Sequence, residues 1–319
     1  MTAEKVFTHP LGIVFAATVS TFFWGSAFPF IKLSYVELGI GKTELFEQMV
    51  FAGYRFVIAS VLILLFISIL RKDIRYQKGT LVPLAKVSLF QTFVQYVLFY
   101  IGLSYSTGIQ GSIIAGTTSF FQILLAHFMY KNDSFSMRKA LGLTIGFLGV
   151  IIVNLPKGMF QIQIGIGEWL LLLAMFSGAM GNICAKNESA KMDILYMTAY
   201  QMLFGGLGLI LVGGVKVGWF PFAFSLYSGG MLVYLAFASA AGFVLWNNIM
   251  KYNKVGNVSM YMFLIPVFGV FLSALILGEE LHLVIVAALL LVASGIIIVN
   301  REKKQKASRL PHKSVKASL

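Results

Sequence analysis

The chain contains 319 residues, of which 58% are apolar and only 12% are charged. With a mean hydropathy of +0.85, this composition leaves too little polar surface for a soluble globule of that size. The formal net charge of +13 is also found in nucleic-acid-binding proteins, but here the basic residues concentrate in predicted loops and a C-terminal tail. Membrane topology and lipid contact explain that distribution, so we predict the lipid bilayer as a partner and no nucleic acid.

Ten apolar segments follow one another with little sequence between them, and we interpret each as a transmembrane helix. The first five are Leu11–Ile31, Gln48–Leu70, Leu81–Leu103, Ile109–Tyr130 and Lys139–Val153. The second five are Glu168–Ala185, Ile194–Val215, Leu226–Met250, Gly256–Leu277 and Leu281–Val299. The pattern predicts an all-α integral membrane protein with ten spans. Because the fifth and sixth segments are short, a count of eight or nine stays open at this point.

Basic residues alternate between successive loops, and this alternation predicts the orientation of the chain. The loops near Lys72, Lys139, Lys191 and Lys254 are rich in lysine and arginine, and so is the tail after Asn300. The opposite loops carry few basic residues. We therefore expect a multi-pass protein of the plasma membrane with both termini in the cytoplasm and an even number of spans.

Two nearly identical segments indicate an internal duplication. GVIIVN at Gly149–Asn154 and GIIIVN at Gly295–Asn300 each close an apolar helix, and the same offset of 146 pairs Asp133 with Glu279. Each copy then contains five spans. Because five is odd, the second copy enters the membrane from the opposite side, as in the inverted repeats of many secondary transporters.

These considerations predict three parts in the chain. The first repeat is expected at residues 1–155, the second and inverted repeat at 156–300, and a basic cytoplasmic tail at 301–319. The tail has too few apolar residues to build a core.

Several segments, in order along the chain, resemble one known family. They are FWGSAFPFIK at Phe23–Lys32, YRF at Tyr54–Phe56, QYVLFYIGLSYSTG at Gln95–Gly108, IPV at Ile265–Val267 and LGEEL at Leu277–Leu281. On these motifs the chain resembles the drug/metabolite transporter superfamily, and within it the EamA-type branch of ten-helix carriers. The resemblance implies a transporter and suggests that it is an exporter.

Two positions depart from the family pattern. A proline is common in both the fourth and the ninth spans, but here only Pro266 is present and its repeat partner is Phe120. The fourth helix is therefore expected to be straighter. The Gly-Glu pair after the ninth span is intact, whereas its first-half counterpart reads Asn132-Asp133 and lacks the glycine.

The first and sixth helices carry matching stripes at four-residue steps, which keep side chains on one helical face. The offset of 154 pairs Trp24 with Gly178, Phe28 with Asn182, and Lys32 with Lys186. Trp24, Phe28 and Asn182 are candidate substrate contacts. The two lysines are candidates for gating, although anchoring at the membrane interface explains them more simply.

Arg55 is the most deeply placed charge, roughly 12 Å along the second helix at 1.5 Å per residue. A charge at that depth is a functional candidate, and its planar guanidinium suits a substrate carboxylate. An ion pair with Glu168, or snorkelling to the surface, is the structural alternative, and the sequence favours that alternative slightly.

Uncharged polar and aromatic side chains on other helices complete a possible cavity wall, because such groups must face inward in lipid. The remaining candidate substrate contacts are Gln91, Gln95, Phe99, Thr117, Phe121, Trp246 and Tyr261. Together they would form a surface of aromatic faces and amides suited to a small amphipathic solute. Hydrogen bonding between helices is the alternative role of the polar members.

None of the twelve acidic residues lies near the middle of a predicted span, although coupled carriers generally use an embedded carboxylate. Glu168 at a span end and His127 are the nearest titratable candidates for coupling, and Pro266 is a candidate for gating. This absence favours weak coupling or facilitated exchange.

The main functional prediction is a secondary transporter of small neutral or zwitterionic metabolites such as amino acids. An exchanger of anionic, phosphorylated or nucleotide-linked solutes is the alternative, and it would require Arg55, Lys32, Lys86 and Lys186 to converge on one cavity. A channel-like facilitator also stays open. An enzyme is not expected, since the spans lack HExxH and GxSxG motifs. No cofactor or metal is predicted, and the protein is expected to be a monomer or homodimer.

Overall fold

The computed structural model describes residues 2–106, 108–133, 135–153, 165–278 and 284–300. Within these ranges the regular structure is helical, without strands, which confirms the predicted all-α class. Ten helical segments follow a short N-terminal helix, Ala3–Thr8. Glu279, Glu280 and the tail at 301–319 lie outside the described residues.

The ten segments are named α1 to α10 in chain order. The first five are α1 at Pro10–Leu38, α2 at Leu45–Ile69, α3 at Leu81–Tyr105, α4 at Gly108–Met129 and α5 at Met137–Val153. The second five are α6 at Ile166–Glu188, α7 at Ile194–Val217, α8 at Leu226–Tyr252, α9 at Val255–Leu277 and α10 at Val284–Asn300. Seven of them are long and apolar enough to cross a membrane, and shorter apolar helices lie at Ile114–Met129 and Leu290–Val299.

The first helix is longer than predicted. It continues beyond Ile31 to Leu38 and ends at Gly39, whose φ of 68° provides a left-handed C-cap. Lys32, one residue beyond the predicted end of the span, therefore lies inside α1. The error arose because helix ends depend on capping geometry more than on apolar content.

Helix α3 contains one widened turn, a π-helical segment at Leu89–Val94. The turn contains Gln91 and Thr92, which are both fully buried, and it rotates the residues after it relative to a regular α-helix. Helix α9 is also irregular, with a 3₁₀ segment at Ser259–Phe263 just before the buried Pro266. In contrast, α4 is a continuous α-helix.

The helices pair across the two halves of the chain. Helix α1 packs on α8 and α9, α6 packs on α3 and α4, α2 packs on α7, and α5 packs on α10. Helix α1 corresponds to α6, α8 to α3 and α9 to α4 in the two repeats, so the contacts of α1 with α8 and α9 are repeated as the contacts of α6 with α3 and α4. The core therefore lies between the two halves, as expected for two related units that bury their apolar faces against each other.

Hydrogen bonds at the helix ends show that the two halves have opposite orientations. Lys32 near the end of α1 contacts the end of α3, whereas Lys186 near the end of α6 contacts the end of α8. Ser106 at the end of α3 binds Glu168 at the start of α6, so α3 and α6 are antiparallel. We call the two ends of the bundle the Lys32 face and the Lys186 face.

Candidate functional site

A central cavity of about 70 Å³ lies between the two halves. Seven helices contribute to it, namely α1, α2, α3, α4, α6, α8 and α9. Its lining side chains are Trp24, Ala27, Phe28, Arg55, Gln95, Tyr96, Phe99, Ala115, Thr118, Met175, Asn182, Phe243, Met262 and Ile265. Aromatic and aliphatic groups predominate, and Arg55 is the single charged residue among those described here. An apolar cavity with a few convergent polar groups is typical of small-molecule sites.

Aromatic rings enclose the cavity. The Trp24 ring centroid lies 5.1 Å from that of Phe243 and 5.5 Å from that of Trp246. Phe28 and Phe99 meet edge to face at 5.7 Å. Because these rings come from α1, α3 and α8, the aromatic wall joins helices of both halves.

Arg55 is 1% exposed, and its hydrogen bonds go to neutral groups. Its Nε donates to Ser239 Oγ at 2.7 Å and to the carbonyl oxygen of Leu235 at 3.2 Å. One terminal nitrogen, Nη1, donates to Tyr100 Oη at 3.2 Å. Within the described part of the chain no carboxylate forms an ion pair with this guanidinium. A buried charge without a counter-ion is costly unless a ligand compensates it.

The ion pair between Arg55 and Glu168 that the sequence allowed is not formed. One carboxylate oxygen of Glu168 accepts from Ser106 Oγ at 2.7 Å, and the other accepts from the backbone nitrogen of Gly165 at 2.8 Å. Glu168 therefore caps the start of α6 at the Lys32 face. It does not line the central cavity.

Below the cavity, toward the Lys186 face, buried amides and hydroxyls form a network. Gln91 Nε2 donates to Asn182 Oδ1 at 2.7 Å and to Asn247 Oδ1 at 3.3 Å. Asn247 in turn donates to Thr198 Oγ1 at 3.0 Å. These side chains come from α3, α6, α7 and α8, so the network joins the two halves beside the cavity.

Several buried polar atoms around the cavity have no hydrogen-bond partner among the described residues. They are Nε1 of Trp24 and of Trp246, and Oε1 of Gln91 and of Gln95. Trp24 and Gln95 line the cavity. Buried polar groups in proteins are generally paired, so the Trp24 donor and the Gln95 acceptor, which line the cavity, are available to a polar solute.

Other candidate residues lie outside the central cavity. Thr117 and Phe121 line a second cavity of about 450 Å³ between α4, α5, α6 and α9. Trp246 and Tyr261 are buried in the core. His127 is exposed near the end of α4, where its Nδ1 accepts from the backbone nitrogen of Phe135 at 3.0 Å.

The two candidate gating lysines occupy equivalent positions at opposite faces. Lys32 Nζ donates to the carbonyl oxygens of Leu103 at 2.8 Å and Ser106 at 2.9 Å. Lys186 Nζ donates to those of Met250 at 2.5 Å and Asn253 at 2.7 Å. Each lysine satisfies carbonyl groups at the C-terminal end of a neighbouring helix, where a positive charge is favourable.

Sequence reasoning missed eight of the fourteen residues that line the cavity. The residues that were not among the candidates are Ala27, Tyr96, Ala115, Thr118, Met175, Phe243, Met262 and Ile265. Tyr96 was missed because four-residue spacing was followed through α3, and the π-helical turn shifts which residues face inward. The apolar members look like any other core residue in the sequence.

The fold, with two inverted helical halves around a central cavity, defines an integral membrane transporter. The family model for the EamA-like transporter family matches residues 11–155 and 165–301. The chain therefore belongs to the EamA-like transporter family, which confirms the predicted resemblance.

Relatives of similar length are also transporters by name. The uncharacterized transporter YvbV of Bacillus subtilis (strain 168) is 29% identical over 277 residues, covering 82% of this chain and 86% of the relative. An uncharacterized transporter of Archaeoglobus fulgidus is 28% identical over 295 residues, covering 91% and 99%. The S-adenosylmethionine/S-adenosylhomocysteine transporter of Chlamydia trachomatis serovar L2 is 22% identical over 284 residues, covering 84% and 82%.

A solved crystal structure has the same fold. It superposes with a TM-score of 0.73 over 92% of this chain and 98% of that chain, at 12% sequence identity. At this level of identity the likeness concerns the arrangement of helices and not the substrate.

Proposed function

We propose that this protein is a secondary transporter that exports small neutral or zwitterionic metabolites, such as α-amino acids, by alternating access. The central cavity is the substrate site in this proposal. The protein resides in the plasma membrane with both termini in the cytoplasm. The Lys186 face is then cytoplasmic, and the Lys32 face is external.

The observation that carries the proposal is the state of Arg55. The guanidinium lines the cavity, is 1% exposed and has neutral partners only among the described residues. Keeping such a charge in the membrane interior is costly, and a carboxylate held by charge-assisted hydrogen bonds offsets that cost. A solute with one carboxylate matches one arginine.

The rest of the cavity suits the ammonium group of a zwitterion. An ammonium group is attracted to aromatic faces, and Phe28, Phe99 and Tyr96 provide them. Gln95 Oε1 is a buried acceptor without a partner, and Trp24 Nε1 is a donor without one. Gln95 Oε1 can accept a hydrogen bond from the ammonium, and Trp24 Nε1 can donate one to the carboxylate or to a polar side chain, so the protein needs no second charged residue in the site.

The positions of the lysines argue against a phosphorylated or nucleotide-linked solute. That alternative requires several cations around one cavity. Lys32 and Lys186 instead donate to backbone carbonyls at opposite faces, and Lys86 is exposed. A single arginine suits one negative charge better than a phosphate with two.

The position of the cavity between two inverted halves favours alternating access. Its lining residues come from both halves, so a movement of one half against the other would change which face the cavity opens to. Two inverted halves can exchange roles between the two faces of the membrane.

One relative supports an amino-acid-like substrate. The transporter from Chlamydia trachomatis is named for S-adenosylmethionine and S-adenosylhomocysteine, and both compounds carry an α-amino-acid group. The loop with Arg71, Lys72 and Arg75 follows α2 at the Lys186 face, which supports a cytoplasmic position for that face.

Thermal unfolding of the purified protein tests the substrate class, because a ligand that binds only the folded state raises the melting temperature. We expect a mixture of the twenty L-α-amino acids to stabilise the protein, and inorganic phosphate or nucleotides to have no effect. In proteoliposomes, loaded amino acids should drive saturable counterflow. Stabilisation by phosphate or nucleotides alone would favour the anionic exchanger, and uptake that does not saturate would favour a channel.

Arg55→Met should abolish stabilisation by amino acids. Lys72→Met is a matched control, because it also removes a cation, but one that is paired with Asp193 on the surface. An Arg55→Met variant that folds and still responds to amino acids like the parent would overturn the carboxylate contact.

A further inference from the structure

We infer that Tyr100 and Ser239 are positioning residues that hold the Arg55 guanidinium in place and thereby set the selectivity of the site for a carboxylate. This inference rests on the proposed function, since it concerns how the same site recognises its substrate. It concerns two residues that do not line the cavity themselves.

Hydrogen bonds fix two of the three guanidinium nitrogens. Ser239 Oγ accepts from Nε at 2.7 Å while donating its own proton to the carbonyl oxygen of Leu235 at 2.9 Å. The serine hydroxyl is thereby oriented with a lone pair toward Arg55. Tyr100 Oη accepts from Nη1 at 3.2 Å. The third nitrogen, Nη2, has no hydrogen bond within the described residues, so it is the donor left for a solute.

Two aromatic rings restrain the guanidinium in addition. Its central carbon lies 5.3 Å from the ring centroid of Phe56 and 5.7 Å from that of Tyr96. Both distances are within the range of a cation–π interaction. With Nε and Nη1 held by hydrogen bonds and aromatic rings alongside, the arginine has little freedom to turn its free edge away from the cavity.

The partners of Arg55 come from both halves of the chain. Arg55 and Tyr100 belong to α2 and α3, whereas Ser239 and Leu235 belong to α8. The guanidinium is therefore fully held only when α8 lies against α2, as it does in this structure. This dependence links substrate recognition to the relative position of the two halves.

A neutral counterpart of this arrangement lies at the symmetry-related place. An offset of 147 pairs Ser239 with Thr92, and an offset of 146 pairs Arg55 with Gln201. Thr92 Oγ1 donates to Gln201 Oε1 at 2.5 Å. The same contact between halves thus exists once with a charge and once without, which provides a matched control for mutation.

The test measures the thermal stabilisation of the purified full chain by two probes. One is an equimolar mixture of the twenty L-α-amino acids, and the other is the matching mixture of amino-acid amides, which lack the carboxylate. Tyr100→Phe and Ser239→Ala should each raise the half-stabilising concentration of the acid mixture roughly tenfold or more, because each removes a hydrogen bond to a charged group. The response to the amides should stay unchanged, so the preference for acid over amide falls.

Thr92→Val, which removes the neutral counterpart contact, should leave the preference at the parental value. A purely structural role for Tyr100 and Ser239 would lower the melting temperature without ligand and leave the preference unchanged, and that result would overturn the inference. If Arg55→Met abolishes the preference while Tyr100→Phe and Ser239→Ala retain it, the inference fails and the proposed function stands. If the parent responds equally to acids and amides, the proposed carboxylate contact itself fails.

Discussion

The parts of the bundle toward the Lys32 face and toward the Lys186 face share one scaffold but differ in chemistry. At one helix crossing Gln95 of α3 packs on Gly178 of α6, and a Cβ added to the glycine would meet the amide at 2.7 Å. At the related crossing the sizes are reversed, because Trp24 of α1 packs over Gly242 of α8, with a Cβ distance of 3.0 Å to the indole nitrogen. Each crossing therefore combines one large and one small residue.

The polar contacts between halves diverge more strongly. Toward the Lys32 face, Arg55 is surrounded by Tyr96, Tyr100 and Phe56. Toward the Lys186 face, the buried groups are neutral amides and hydroxyls, centred on Gln91 and Asn182. The comparison teaches that the duplication supplied the frame and its lysine-capped ends, while substitutions within the frame placed a single charge on one side of the cavity.

The largest effect on the scaffold is expected from substitutions at the two glycine crossings. Gly178→Leu and Gly242→Leu should each reduce transport more than tenfold and destabilise the protein by about 1–3 kcal/mol, because a larger side chain has no space at either crossing. Counterflow and thermal unfolding would measure the two effects. Gly230→Leu on α8 is the control, since an added Cβ there meets nothing within 4 Å.

If Gly178→Leu destabilises the protein because leucine does not fit beside Gln95, a second substitution that shortens Gln95 should restore the stability of this crossing. Gln95→Ala combined with Gly178→Leu removes the clashing amide and should recover much of the lost stability. Equal instability in the single and double variants would contradict the packing explanation.

Removing the lysine caps should have a smaller effect than the glycine substitutions. The two lysine variants should open opposite faces of the bundle. Lys32→Met should loosen the Lys32 face and Lys186→Met the Lys186 face, each by roughly 0.3–1 kcal/mol, the range for a cation at the C-terminal end of a helix. In a Cys184→Ser background, labelling of Ala27→Cys in the cavity by an impermeant maleimide should then quicken from opposite sides of the membrane.

Lys32→Arg and Lys186→Arg keep the charge and the donors, and they serve as controls for these two variants. If both methionine variants quicken labelling from the same side, the lysines do not control separate faces. The caps would then be general stabilising contacts.

The smallest effect is expected from pH and ion gradients. Among the described residues lining the cavity there is no acid or histidine, and an arginine does not titrate near neutral pH. Counterflow should change less than about twofold between pH 6 and 8, the interval in which an ordinary histidine changes charge. It should also persist when proton and sodium gradients are collapsed.

Glu168→Gln and His127→Gln should leave counterflow intact, since Glu168 caps α6 and His127 is exposed. Uphill uptake driven by an imposed pH gradient would contradict the expectation that transport is not coupled to protons. Loss of that uptake in Glu168→Gln, with counterflow preserved, would identify Glu168 as the proton site.

Sequence reasoning placed several residues of the cavity and misplaced others for identifiable reasons. Four-residue spacing proposed Trp24, Phe28, Gln95, Phe99 and Asn182, and the depth of its charge proposed Arg55; all six line the cavity. Thr117 and Phe121 were proposed as inward-facing polar and aromatic residues, but they line the separate cavity beside α5. Spacing identifies a helical face, yet it does not show which neighbouring helix that face meets.

Apolar content and repeated segments were enough to predict the membrane class, the all-helical fold and the duplication, because the bilayer imposes helix length and apolar content directly on the sequence. The partners of each polar side chain were not accessible in this way. Whether Arg55 meets Glu168 or Ser239 depends on how α2, α6 and α8 pack together, and one widened turn in α3 changes which residues face the cavity. These contacts join residues far apart in the chain, so they follow from the packing of the two halves against each other.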